Sequence, residues 1–281
     1  SFAEKPRLLG FLPQRDREFY RRLGDDVLAL LNAGMPEYDA LPHIARLMAF
    51  YLAHYLLGVS AEGLGKGTDS VKYVVEVRSA APDAVRWLAR YSYQVNDELP
   101  SRRLDQAIQN IRQLPEVAGS LEAKSKAPLK AALMARWWHP GDRYGRSPTA
   151  DGLWAEFSER LKKRHTQHLG NVHHEYMRSC GFSSREGTNT YRYCPSDVFL
   201  RTLVLANVPE RMEYEDFLDR LYERYGIAIA RRHIRMATPA GDLSECDSNQ
   251  DRLQVRLARL GLVHRLSDAC AYVVNRHKEE A

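Results

Sequence analysis

Residues 249–275 (NQDRLQVRLARLGLVHRLSDACAYVVN) constrain this chain more than any other stretch. Leu253, Leu257 and Leu260 recur at helical spacing and mark an apolar face, while Arg252, Arg256 and Arg259 fall on another face. Gly261 follows at once, and glycine is the residue that ends a helix in the left-handed conformation without a Cβ clash. Beyond it, Leu262 to Leu266 and Cys270 to Val274 are two short apolar runs separated by a polar turn, the pattern of a hairpin. The rest of the chain is read around this order of helix, glycine stop and hairpin.

Two helices precede it. Pro195 to Asn207 (PSDVFLRTLVLAN) reads as the first, with Ser196 or Asp197 as its cap, and Val208-Pro209 breaks it. Tyr214 to Tyr225 (YEDFLDRLYERY) reads as the second, with Phe217, Leu218, Leu221 and Tyr222 inward and Gly226 just past its end. The segment Ile227 to Met236 adds Arg231, Arg232, His233 and Arg235.

The region from Pro195 to Asn275 resembles a winged helix-turn-helix domain. That resemblance implies a third helix and a wing placed against nucleic acid. Arg and Asn are side chains that read base edges, and Arg also meets phosphates. The residues expected to contact DNA are therefore Asn249, Arg252, Arg256 and Arg259 on the helix, Arg265 on the wing, and Arg231 and Arg232 before them. One observation pulls the other way. Glu210, Glu213, Glu215, Asp216 and Asp219 make the second helix acidic, and DNA would repel it. Winged helices also serve as protein-docking modules, so an assembly scaffold is the alternative expectation, with the apolar helix Pro42 to Gly58 packing against other subunits.

The segments FLDRLYERYGIAIARRHI and RLARLGLVHRLSDACAYVVN are also similar to accessory proteins of bacterial phage-defence and mobile-element loci. The resemblance implies a DNA-associated subunit that works beside other protein subunits, an ATPase or nuclease among them.

Upstream, the pattern is helical with little strand. Phe19, Leu23, Val27, Leu28, Leu30 and Leu31 form one helix closed by Gly34. Pro42 to Gly58 is apolar nearly all round, which predicts a central packing helix. Its most apolar window, Leu47 to Val59, is too short to span a bilayer. Ser70 to Arg78 alternates as a strand should. Leu99-Pro100-Ser101 is expected to end one helix and cap the next. His139 to Asp151 is rich in Pro, Gly and charge and reads as a linker, after which Thr149 opens a helix ending in the basic run Arg160 to His165. The fold class expected is mainly α: an N-terminal helical domain with one short strand over residues 1–140, a linker and helical connector over 141–194, and a winged-helix-like domain with a short β-hairpin over 195–281.

A net charge of +5 and a pI near 9.0 permit nucleic-acid contact without demanding it. Cys180, Cys194, Cys246 and Cys270 lack CxxC spacing and read as reduced thiols of a cytoplasmic protein. His165, His168, His173 and His174 with Cys180 and Cys194 match no standard zinc spacing, so no metal is expected. Glu76-Val77-Arg78 has Arg where a nuclease metal site wants Lys, and reads as an edge-strand charge pair. The loop EGLGKGT (residues 62–68) has neither the spacing nor the strand-to-helix order of a phosphate loop. Trp137-Trp138 reads as helix-end core. The chain is thus expected to be non-enzymatic, to bind no cofactor and no membrane, and to act on duplex DNA with partner subunits.

Overall fold

The structure is a computed structural model and describes residues 17–78, 84–137, 145–187, 189–238, 243, 246–266 and 270–279. These residues are mainly helical, with small sheets of two or three short strands. In chain order α1 (Arg17–Leu31) and α2 (Glu37–Gly63) lead to β1 (Tyr73–Val74) and α3 (Ala84–Arg112). Then come α4 (Pro115–Glu122), α5 (Lys126–Arg136), α6 (Ala150–His168), α7 (Val172–Ser179), β2 (Ser183–Ser184) and β3 (Arg192–Tyr193). The last part holds α8 (Asp197–Asn207), β4 (Arg211–Glu213), α9 (Tyr214–Tyr225), β5 (Ile227–Ala228), α10 (Arg231–Ala237), α11 (Cys246–Arg259), β6 (Val263–Arg265), β7 (Ala271–Val274) and α12 (Arg276–Glu279).

Local chemistry sets many of these ends. The Ser196 hydroxyl accepts from the Phe199 N–H at 3.3 Å and caps α8, and Thr149 accepts from Gly152 at 3.1 Å and caps α6. Gly226 and Gly261 take φ of +72° and +69° at the ends of α9 and α11. A Cβ on Gly226 would lie 2.5 Å from the Val71 carbonyl oxygen, so the segment entering β1 can approach only a glycine there.

Tertiary packing overrides the sequence signal at Pro100. No break occurs, and α3 runs for 29 residues with Pro100 inside it. The proline forfeits one backbone bond to Asn96. Leu99 and Pro100 are buried on one side of this point and Ile108 on the other, which holds the helix together across it. The same override moves the start of α2, which begins at Glu37 with Pro42 in its interior rather than at Pro42.

The main core joins residues from both ends of the chain. Leu47, Phe50 and Leu57 of α2 pack in one cluster with Val75, Tyr193, Phe199, Phe217, Leu253 and Val273. Segments 1–140 and 195–281, expected as separate domains, therefore supply a common interior. Asp26 of α1 locks them. Its buried carboxylate accepts from Tyr51 at 2.6 Å, from Tyr225 at 2.8 Å and from Arg224 Nε at 2.8 Å. A second, smaller cluster forms from Ile108, Val117, Leu129, Leu133, Leu153, Trp154 and Phe157. This unit of α4, α5, α6 and the end of α3 is reached from the main core along α3. The expected linker at His139 to Asp151 lies partly outside the described residues.

The segment expected as a strand, Ser70 to Arg78, is extended but mostly not laddered. Only Tyr73 and Val74 pair, in parallel, with Ile227 and Ala228 of β5. Glu76 N then donates to the Tyr193 carbonyl at 3.0 Å. The segment threads the centre of the molecule, so the expected edge-strand reading of Glu76 is corrected. Its carboxylate is fully buried between Arg86 (2.9 Å) and Arg192. The expected hairpin is present as β6 and β7, and β4 adds on the far side of β7 to give the antiparallel order β4-β7-β6.

Candidate functional site

The seven residues expected to meet DNA are dispersed in role. Asn249 is fully buried. Its side-chain oxygen accepts from Val77 N at 2.7 Å, and its amide donates to the carbonyls of Val75 (3.0 Å) and Ile229 (3.1 Å). It joins α11 to the extended segment after β1 and to β5, and cannot read a base. That expectation is corrected, and the reason is periodic: position 249 shares one helical stripe with Leu253 and Leu257.

Three of the arginines face carboxylates. Arg231 bonds Asp247 at 2.7 Å, and Arg256 Nε bonds Asp197 at the start of α8 at 2.6 Å. Arg232 bridges Glu215 (2.5 Å) and Asp219 (2.6 Å) of α9. Arg252 is half-buried, whereas Arg259 and Arg265 are exposed. Exposed among them on α11 are Asp247 and Asp251. Residues 195–281 hold thirteen Lys and Arg against fourteen Asp and Glu, so this whole region carries no positive excess to draw a polyanion.

The histidine–cysteine group is not assembled either. His173 Nδ1 lies 2.7 Å from the Asp97 carboxylate, and its Nε2 lies 2.9 Å from the Tyr193 hydroxyl. Asn96 donates to that same hydroxyl at 3.0 Å. The arrangement would relay a proton between carboxylate, imidazole and phenol. Yet Tyr193 is fully buried, and burial pushes its phenol well above the ordinary range, which disfavours a phenolate nucleophile. Burial likewise pushes the Cys180 thiol up to about 12, so it is not a reactive thiolate. Among the described residues no group of three or more His, Cys, Asp or Glu is placed to hold a metal ion.

The scaffold alternative has the apolar helix from Pro42 to Gly58 pack against other subunits, and the outer face of α2 is where such a contact could form. The inner face packs as expected, with Leu47, Phe50, Ala53 and Leu57 buried. Among the described residues the opposite face has little cover: Tyr38 is 84% exposed, Leu41 56%, Met48 45%, Leu52 51% and Val59 37%. With Ala45, the positions from Tyr38 to Leu52 alternate in steps of three and four, the a/d seam of a coiled coil, and the next position, Tyr55, is half-buried against Phe19 and Tyr20 of α1. The exposed seam is roughly 20 Å long at 1.5 Å per residue. Between Asp39 and Glu62 the helix carries one charged residue, Arg46. At its far end a cavity of about 320 Å³ opens between α1 and α2, lined by Phe19, Tyr55 and Val59 and rimmed by Glu18, Arg22 and Asp69. The seam was legible in the spacing, but an all-round apolar helix reads as buried on every side. Among the described residues α2 is also the one helix long and apolar enough to cross a membrane.

His54 lines the inner wall of that cavity. Its Nδ1 stands 2.7 Å from the Tyr73 hydroxyl, and burial holds its pKa down to about 4. A neutral imidazole is favoured in the fold, so the unfolded chain takes up the proton first. Stability is unaffected above pH 6.5 and falls as the pH drops from there towards 4. Urea unfolding at pH 7.5 and 4.5 should give a loss about 2 kcal/mol smaller in His54→Gln than in the parent. Equal losses in the two proteins would remove His54 from the acid response.

Comparison of this chain with family models, with curated proteins and with solved structures finds no match.

Proposed function

We propose that this chain is a non-enzymatic docking subunit of a multiprotein assembly, and that it receives a partner helix along the outer face of α2. The observation that carries the reading is the exposed a/d seam from Tyr38 to Leu52 on a helix whose other face is anchored in the core. Contiguous exposed apolar surface of this length marks an interaction site, and five positions in steps of three and four fit the knobs of another helix. The cavity beside Tyr55 and Val59 gives the end of the seam a socket for one larger side chain.

Residues 195–281 are read as a winged helix. Supporting this are the three helices α8, α9 and α11, the glycine stop at Gly261, and the sheet order β4-β7-β6 that places the hairpin beside them. Three of its arginines pair with neighbouring carboxylates, and α11 is pinned inward by Asn249. Both features favour a packed protein module over a base-reading one.

The test is a double charge insertion, Met48→Glu with Leu52→Glu, in the chain expressed beside its natural neighbours. Both side chains are exposed, so the melting temperature should stay within a few degrees of the parent. The parent should purify with a second protein chain bound, by mass and light scattering, and the variant should elute alone. A parent that elutes as a bare monomer overturns the reading. So does a variant that keeps the same companions, or a parent that floats with neutral lipid vesicles.

A further inference from the structure

Two buried asparagines stand behind a cleft that the docking role does not use. The cleft, of about 250 Å³, opens where the ends of α1 and α8 meet α9 and α12. Ala29, Ala33, Leu205, Val208 and Pro209 make its walls largely apolar, and Arg220 and Lys278 bring two cations to it from distant parts of the chain. Among the described residues no carboxylate lines it. Asn207, the last residue of α8, is 1% exposed. Its amide donates to the Leu203 carbonyl and the Tyr225 hydroxyl, both at 2.8 Å, and its side-chain oxygen accepts from Arg220 Nε at 3.3 Å. Asn275 is equally buried. Its amide donates to the Ala33 carbonyl at 3.1 Å, and its main-chain carbonyl accepts from Lys278 N at 3.1 Å. Each asparagine thus ties the element carrying one cation to the wall of the cleft. Gly34, with φ of +86°, lets α12 close on the end of α1, since a Cβ there would lie 2.7 Å from the His277 carbonyl oxygen.

Neither cation is engaged inside the fold. The Arg220 guanidinium bonds Asn207 through Nε, and its two terminal nitrogens meet no acceptor among the described residues. The half-buried Lys278 ammonium meets none either. Asp216 and Glu223 are exposed and lie within about one turn of Arg220 on α9, but among the described residues neither pairs with it. The carbonyl ends of α1 and α8 favour a cation nearby. Neither side chain bonds a main-chain carbonyl there, however, so helix capping does not account for the pair. Two like charges brought to one apolar-walled cleft repel each other until an anion joins them.

We infer that this cleft binds a small organic carboxylate, whose anion meets Arg220 and Lys278 and whose apolar body lies against Ala29, Ala33, Leu205 and Val208. A guanidinium offers a planar fork that matches a carboxylate, and an ammonium adds a second point charge. Apolar walls with a few placed polar groups are the usual build of a small-ligand site. The volume has room for about eight non-hydrogen atoms, at the roughly 30 Å³ that a water takes in the liquid. The cleft shares no residue with the α2 seam, so it stands or falls apart from the docking role.

Nuclear magnetic resonance titration of the isotope-labelled full chain with sodium hexanoate, at low salt, tests it. The side-chain amides of Asn207 and Asn275 should shift saturably, with a Kd of about a millimolar. Arg220→Gln and Lys278→Gln should each weaken binding about tenfold, as the loss of one charge-assisted bond. Lys278 makes no side-chain bond in the fold, so its variant keeps the test open if Arg220→Gln misfolds. Hexanamide has the same shape without the charge and should bind at least about tenfold more weakly than hexanoate. Inorganic phosphate, which lacks an apolar body, should be weaker as well. No saturable shift with hexanoate overturns the inference, as does parent-like affinity in the Lys278 variant. Hexanamide binding as tightly as hexanoate overturns it too. So does phosphate binding as tightly, since the cleft would then hold a bare anion.

Discussion

Asp26→Ala should destabilise the protein by about 3–5 kcal/mol, as a loss of urea midpoint with little change in slope. The carboxylate sits at 1% exposure and is the shared acceptor for Tyr51, Tyr225 and Arg224. Removing it leaves two buried hydroxyls and a guanidinium without their acceptor. Arg224 keeps its bond to the Arg22 carbonyl at 3.0 Å, so the helix pair is not wholly released. Burial, the neighbouring Tyr225 and the Asp26 charge together hold the Tyr51 phenol well above its ordinary range. In the variant, ionisation of Tyr51 should therefore begin at lower pH, read as phenolate absorbance. Asp26 joins α1 and α2 to α9, which lie about two hundred positions apart, so the loss should appear in both regions together. A loss below 1 kcal/mol, or a fraying confined to α1, would contradict the view that the two ends of the chain form one cooperative interior.

What the sequence disclosed divides by range of interaction. Helix ends set by a neighbouring side chain or by glycine geometry were readable: the Ser196 and Thr149 caps, Gly226 and Gly261. The hairpin was readable from two apolar runs. Pro100 misled because its local penalty is one hydrogen bond, and cores on both sides outweigh it. Strand β4 gave no signal, since Arg-Met-Glu lacks a strand pattern and is strand only through β7. Asn249 was assigned to the arginine face by its chemistry, although its phase placed it with the leucines. The spacing of Arg252, Arg256 and Arg259 did put them off the apolar face of α11. What residue types alone could not give was the partners of the expected arginines, because Asp197, Asp219 and Glu215 come from other helices. The α2 seam shows the converse limit, since composition predicts burial and only the packing tells which face lacks a neighbour.

Glu76→Gln should cost a similar 3–5 kcal/mol, and the argument for it separates stability from specificity. Glu76 has no exposure, and it sits between Arg86 at 9% and Arg192 at 2%. Gln keeps the shape and removes the carboxylate charge that both buried guanidiniums share. The desolvation already incurred by the arginines then loses the compensation that Glu76 supplies. The triple replacement Glu76→Leu/Arg86→Met/Arg192→Leu removes all three charges at once. It should recover most of the loss, because well-packed apolar side chains of similar volume replace buried ion groups at little cost or with gain. The two results would be read by urea titration at pH 7. Recovery would mean that the triad stabilises the fold less than it fixes register, holding the extended segment after β1 against β3 and the start of α3. A triple variant as unstable as Glu76→Gln would mean instead that the ion pairs contribute net stability. In either case, disturbance of this segment should pass to α11, because Val77 N donates to Asn249 one residue further on.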